Sequence, residues 1–193
     1  MRVGLVHIDI QNDYFPNGKM ELEGSEQAGE VASGLLSFFR ERKLPVFHIQ
    51  HVAVRPGATF FLPNTPGVEF YPGVQPRDGE TVIQKHFPNG FRETNLLHHL
   101  QRENIQQLVV TGMMTHMCVD ATTRAATDYG YECLIAQDAC ATRTLKLGER
   151  VILAQDVHTA FLAALNGTYG RVTSAAEIKA ELNELSTLGN NQG

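Results

Sequence analysis

Cysteine is scarce in this chain: 193 residues contain three, Cys118, Cys133 and Cys140. Three thiols cannot all pair with one another, and none belongs to a CxxC, so neither a disulfide framework nor a zinc knuckle is indicated. At least one thiol stays free. Surplus basic charge is lacking as well. Lys and Arg number 16 against 21 Asp and Glu, a net charge of -5, and the cations are scattered, which leaves no electrostatic footprint for nucleic acid or an anionic membrane. Long apolar runs are also missing. No stretch reaches the roughly 18 residues a membrane-spanning helix needs, and the opening MRVGLVHIDIQND carries an aspartate by position 9 in place of a signal-peptide core. Together these absences point to a cytoplasmic protein that acts on a small molecule and has no nucleic-acid or membrane partner.

What is present suffices for a core. A content of 42% hydrophobic and 19% charged residues suits one globular domain over residues 1–193. Short β-branched runs read as strands: Val3 to Ile10, Pro45 to Val52, Thr81 to Lys85, Gln107 to Thr111, Tyr131 to Ala136 and a weak Tyr169 to Thr173. Helical spacing fills the gaps over Ser25 to Lys43, Thr94 to Glu103, Cys118 to Tyr129, Lys146 to Leu165 and Ser174 to Leu188, the last opening on a Ser174/Glu177 capping box. Residues from Asn190 to Gly193 read as a frayed tail. Regular alternation predicts a three-layer α/β/α sandwich on a six-stranded, mainly parallel, Rossmann-like sheet, because each parallel strand needs a crossover and a helix fills it. The alternation fails over Ala53 to Glu80, which holds five of the eight prolines and no helical period. An ordered loop of that length tends to be functional, and its Phe60, Phe61, Phe70 and Tyr71 would wall a pocket or fill an interface.

Ligands of a parallel sheet bind beyond the carboxyl ends of its strands. Asp9 ends the first such run, Lys85 the third, and Cys118 follows the fourth within GMMTHMCVDATTRAA. A helix start beside Cys118 would lower the thiol pKa, a carboxylate could take its proton, and an ammonium would steady both anions. On residues alone, core filling explains such a thiol equally well, since free Cys is among the most buried side chains.

Three motifs in order resemble those of the isochorismatase-like cysteine hydrolases, the superfamily that includes nicotinamidases and N-carbamoylsarcosine amidases. They are Asp9-x-Gln11-Asn12-Asp13, Lys85-His86-Phe87 with Phe91, and Gly112-x-x-Thr115-x-x-Cys118-Val119, followed by Asp138-Ala139. The resemblance implies a triad of Asp9 as general base and acid, Lys85 as electrostatic partner and Cys118 as nucleophile. It implies a cis peptide between Met113 and Met114 that aims the Met114 N–H, with that of Cys118, at an oxyanion. It also implies a homo-oligomer, dimeric or tetrameric. Gln11, Phe15, His86 and His116 are the candidates to contact substrate, whereas Asp13, Asn17 and Gly18 read as turn residues. Cys133 in a strand and Cys140 in a loop are expected to have no catalytic role.

The departures matter too. Nicotinamidases carry an Asp-x-His metal site after the second strand, and here His51 and Ala53 stand at those places, so no metal and no cofactor are expected. His48 and His51, three apart on a strand, point to opposite faces and read as core or surface histidines. Retention of Cys118 favours hydrolysis of a small amide or related C–N bond through a thioester. The rivals are hydrolysis of an isochorismate-like vinyl ether and a ligand-binding or redox-sensing role for a reactive Cys118.

Overall fold

The computed structural model describes residues 1–190, so the tail expected to 193 lies, from 191 onward, outside the described residues. Six strands form one parallel sheet: β1 (Val3–Ile8), β2 (Val46–His51), β3 (Thr81–Lys85), β4 (Gln107–Met113), β5 (Glu132–Ala141) and β8 (Arg171–Thr173), in the order β3-β2-β1-β4-β5-β8. The strands are buried apolar runs because both faces are covered. On one face α1 (Ser25–Glu41) and α5 (Ala175–Asn190) pack against Leu5, Val46, Val109 and Leu134. On the other, α2 (Leu96–Arg102), α3 (Asp120–Asp128) and α4 (Ala154–Leu165) pack against Val6, Ile8, Val110 and Ile135. Neighbouring residues of one strand thus feed opposite cores, as the period of two requires. The result is the three-layer sandwich that the alternation predicts.

The capping box forms as read: Glu177 Oε2 accepts from the Ser174 N–H at 3.0 Å, and Ser174 Oγ accepts from the Glu177 N–H at 3.2 Å. Two boundaries differ from the sequence reading. The first part of the expected Lys146 to Leu165 helix is an antiparallel hairpin, β6 (Leu145–Leu147) with β7 (Arg150–Ile152), which turns at Gly148 with φ 57°. Three residues in each strand are too few to separate a period of two from a helical one. Cys140, expected in a loop, lies in β5, which continues past Ala136 after a register shift against β4 between Val110 and Gly112.

The segment between β2 and β3 is an ordered loop with two single helical turns, Pro66–Val68 and Pro72–Val74. Its end is tied down by Glu80, whose carboxylate accepts from Arg40 Nε at 2.7 Å, Arg40 Nη2 at 2.8 Å, the Arg77 N–H at 2.9 Å and His48 Nε2 at 2.9 Å. One side chain therefore joins α1, β2 and the loop. Burial works to raise the Glu80 pKa, but the hydrogen bonds from Arg40, Arg77 and His48 outweigh it and hold it at about 2 against an ordinary 4.5. A carboxyl depressed on folding stabilises above its unfolded pKa and loses that contribution as pH falls through the folded one. Glu80→Gln is expected to cost about 1–3 kcal/mol at pH 7, with the gap from wild type full above pH 4.5 and closing as pH falls toward 2. Urea unfolding at pH 7 and pH 3 measures both, and a gap of equal size at the two values contradicts the assignment.

Candidate active site

The carboxyl edge of the sheet gathers the three residues that the motifs single out. Asp9 follows β1 and sits in the left-handed region at φ 53°, a conformation that Asp tolerates better than most residues and that turns its side chain across the strand ends. Lys85 ends β3, two strands from β1, or about 10 Å at roughly 4.8 Å per strand. It bridges that gap by lying across β2: Lys85 Nζ reaches Asp9 Oδ2 at 2.7 Å and Cys118 Sγ at 3.3 Å. It also donates to the Phe87 carbonyl at 3.0 Å and to His51 Nδ1 at 3.0 Å. Asp9 and Lys85 have fully buried side chains.

Cys118 sits on a wide helical turn, Thr115–Val119, between β4 and α3. The approach is sterically exacting. A Cβ on Gly112, whose φ is 135°, would stand 2.1 Å from the Ile8 carbonyl oxygen, so only glycine lets β4 pass the end of β1 there. The Met113–Met114 peptide bond that follows is cis. Thr115 staples the turn to β5, donating to the Ala141 carbonyl at 3.2 Å.

The electrostatics differ from the sequence expectation. The Cys118 thiol is not activated at rest: burial and the Asp9 charge push its pKa far above the usual thiol range, with Lys85 opposing them. The positive end of α3 does not reverse this, because the sulfur precedes the helix, whose first residue is the acidic Asp120. Lys85 is opposed by burial, yet Asp9 and Cys118 hold its pKa above the ordinary value, so it remains an ammonium. Asp9 Oδ1 is buried without a hydrogen-bond partner and keeps a free acceptor close to the sulfur.

His51 is the residue that the sequence reading missed. It stands directly opposite Lys85 in the β2–β3 register. Since an ammonium only donates, His51 Nδ1 accepts, and the ring is neutral: burial, aided by Lys85 and against the pull of Asp9, lowers its pKa to about 4. Asp9, His51 and Cys118 present ligand atoms within 4.8 Å of one another. The centre of that group already holds the Lys85 ammonium, and Ala53 offers no ligand atom, so these residues do not fit the nicotinamidase metal site.

A cavity of about 390 Å³ opens onto the sulfur, lined by Cys118, His51, Tyr14, Phe60, Phe61, Phe87 and neighbours. Cys118 and His51 thus face the cavity, while Asp9 and Lys85 are not among its lining residues. The first part of the 53–80 loop supplies Ala53, Val54, Arg55, Ala58, Phe60 and Phe61 to the wall. Phe70 and Tyr71 instead pack inward, on His48 and Phe15. Of the four expected substrate contacts, only His86 lines the cavity. Gln11 is fully buried and spends its amide on backbone, taking the His51 N–H at 2.7 Å and donating to the His51 and Val68 carbonyls at 2.9 and 2.7 Å. Phe15 stacks on Tyr71 at 3.9 Å, and its neighbour Tyr14 faces the cavity in its place. His116 pairs with Thr142 Oγ1 at 2.5 Å, away from the cavity lining. Asp13 is more than a turn residue: besides taking the Lys19 N–H at 3.1 Å it takes the Phe61 N–H at 2.6 Å, which fixes a wall of the cavity.

The family model of the isochorismatase domain matches residues 3–177. The isochorismatase family protein YddQ of Bacillus subtilis (strain 168) is 52% identical over 93% of this chain and 100% of its own length. Maleamate amidohydrolase of Pseudomonas putida is 26% identical over 94% of this chain and 87% of its own. A crystal structure of an isochorismatase-family chain from Oleispira antarctica superposes with a TM-score of 0.90 at 45% identity, covering 93% of this chain and 96% of that one. Among the described residues no helix is long and apolar enough to cross a membrane.

The raised thiol gives a direct test. Asp9→Asn removes the negative charge beside the sulfur, so alkylation of Cys118 by iodoacetamide is expected to start at lower pH than in wild type; an unchanged pH profile contradicts the assigned cause.

Proposed function

The chain belongs to the isochorismatase family of hydrolases, and from that premise we propose that it is a cysteine hydrolase that cleaves a small amide or related C–N bond through a thioester on Cys118. The observation that carries this reading is the placement of one buried ammonium, Lys85, within hydrogen-bond reach of both Asp9 and Cys118 at the wall of a cavity.

The chemistry follows from the charges. At rest the proton is on sulfur, so attack and deprotonation occur together: Asp9 takes the thiol proton as the sulfur adds to the carbonyl carbon. The negative charge moves from Asp9 to the substrate oxygen, where the Met114 N–H, with that of Cys118, is the proposed donor pair. Asp9 then returns its proton to the leaving amine, the C–N bond breaks and a thioester remains. Water cleaves the thioester by the reverse sequence, giving its proton to Asp9, which passes it back to sulfur. Lys85 stays charged throughout and favours the ionised form of whichever partner carries the negative charge. His51, neutral and bonded to the ammonium, orients it.

An amide-cleaving relative supports a C–N bond as the target, and three unpaired, buried thiols suit a reducing cytoplasm. A homo-oligomer remains part of the proposal on the family resemblance.

Incubation with a panel of small amides and carbamoyl compounds, followed by mass spectrometry, is expected to find an acyl adduct on residue 118, and Cys118→Ala to abolish turnover. Retained turnover in Cys118→Ala sinks the thioester route and favours the vinyl-ether reading. Lys85→Ala is expected to keep its fold by circular dichroism and to lose about 10²–10⁴ in kcat/KM; full activity in that variant removes Lys85 from the mechanism.

A further inference from the structure

The cavity wall is apolar and aromatic apart from its histidines and thiol, with one exception. Among the described residues Arg55, on the loop after β2, is the single charged one in its lining. The guanidinium is exposed, and among the described residues no carboxylate pairs with it. Its charge is felt as far in as His51, whose protonation it disfavours. No Asp or Glu lines the cavity, and the one acid near the sulfur, Asp9, is already neutralised by Lys85. A chain with net charge -5 thus has a reactive cavity with an uncompensated positive rim. A cleft whose wall carries one sign of charge over low-dielectric sides concentrates ligands of the opposite sign.

We propose that the substrate is an amide with a flat, apolar body that carries a carboxylate or similar anion remote from the scissile carbonyl, and that Arg55 is the specificity-determining residue that receives it. The flat body meets Tyr14, Phe60, Phe61 and Phe87, and the amide end meets Cys118. The planar guanidinium then donates two parallel N–H···O bonds to the carboxylate, a geometry Lys cannot reproduce. This rests on the amide-hydrolase reading above, and it names the substrate class of that same site.

The test compares 3- and 4-carbamoylbenzoate with their uncharged counterparts, 3- and 4-(hydroxymethyl)benzamide, in wild type, Arg55→Met and Arg55→Lys. Wild type is expected to prefer a charged probe. Arg55→Met is expected to lose about tenfold or more in kcat/KM on that probe, mainly through KM, and clearly less on the uncharged ones. Arg55→Lys should recover part of the loss, and the preference should shrink as salt rises. An equal effect of Arg55→Met on charged and uncharged probes, or none on either, overturns the inference. If wild type turns over no amide, the amide-hydrolase reading fails while calorimetry on Cys118→Ala still decides this one. Tighter binding of a carbamoylbenzoate than of its uncharged counterpart, lost on adding Arg55→Met, supports it; equal binding or no binding overturns it.

Discussion

The ammonium of Lys85 is the group around which the reactive edge is organised. A buried cation is costly unless it is paired and its protons are used, and here four acceptors surround it: Asp9, Cys118, His51 and the Phe87 carbonyl. No single strand could supply them. They come from β1, β2, the turn after β3 and the turn after β4, so the charge is tolerable only when β3, β2, β1 and β4 lie side by side in parallel with their carboxyl ends level. Fold and chemistry therefore share one constraint. The same ammonium that needs these partners lies between the Asp9 carboxyl group and the Cys118 thiol.

Several local features serve that arrangement. Asp9 takes a left-handed backbone conformation at the end of its strand, and Gly112 admits β4 past the Ile8 carbonyl. Gln11 clamps the backbone of His51, the residue across which Lys85 extends. Asp13 fixes Phe61, and Thr115 fixes the turn that carries the sulfur. Motif residues outside the cavity lining, Gln11, Asp13, Gly112 and Thr115, are thus the ones that hold the lining residues in place, which is the usual requirement of a preorganised site.

Much of this was readable in the sequence because it depends on local pattern. The six sheet strands are β-branched runs of the right length, and the helices between them show one apolar stripe each. The meeting of Asp9, Lys85 and Cys118 at one edge was legible because strand ends in a parallel sheet are predictable places, whereas their proposed roles came only from the family resemblance. What escaped depends on non-local geometry. His51 belongs to the site through its cross-strand register with Lys85, and no spacing within β2 reveals it. The choice of Tyr14 over Phe15 as the cavity ring is made by a three-residue turn after β1, where one step in the chain reverses the side chain's direction. The thiol pKa escaped because the sequence suggests a helix start but not the depth of burial, and burial dominates. The β6–β7 hairpin escaped because its strands are too short to declare a period.

If Lys85, Asp9 and Cys118 work as one unit, removing a second member should cost little once the first is gone. Asp9→Asn leaves a buried ammonium and Lys85→Ala leaves a buried carboxylate, while the double variant removes both charges together. The rate of Cys118 acylation by an amide substrate, measured for wild type, both single variants and the double variant, tests this directly. The account predicts that the double variant loses no more than the worse of the two single ones. Losses that multiply, as they do for residues acting independently, would contradict it.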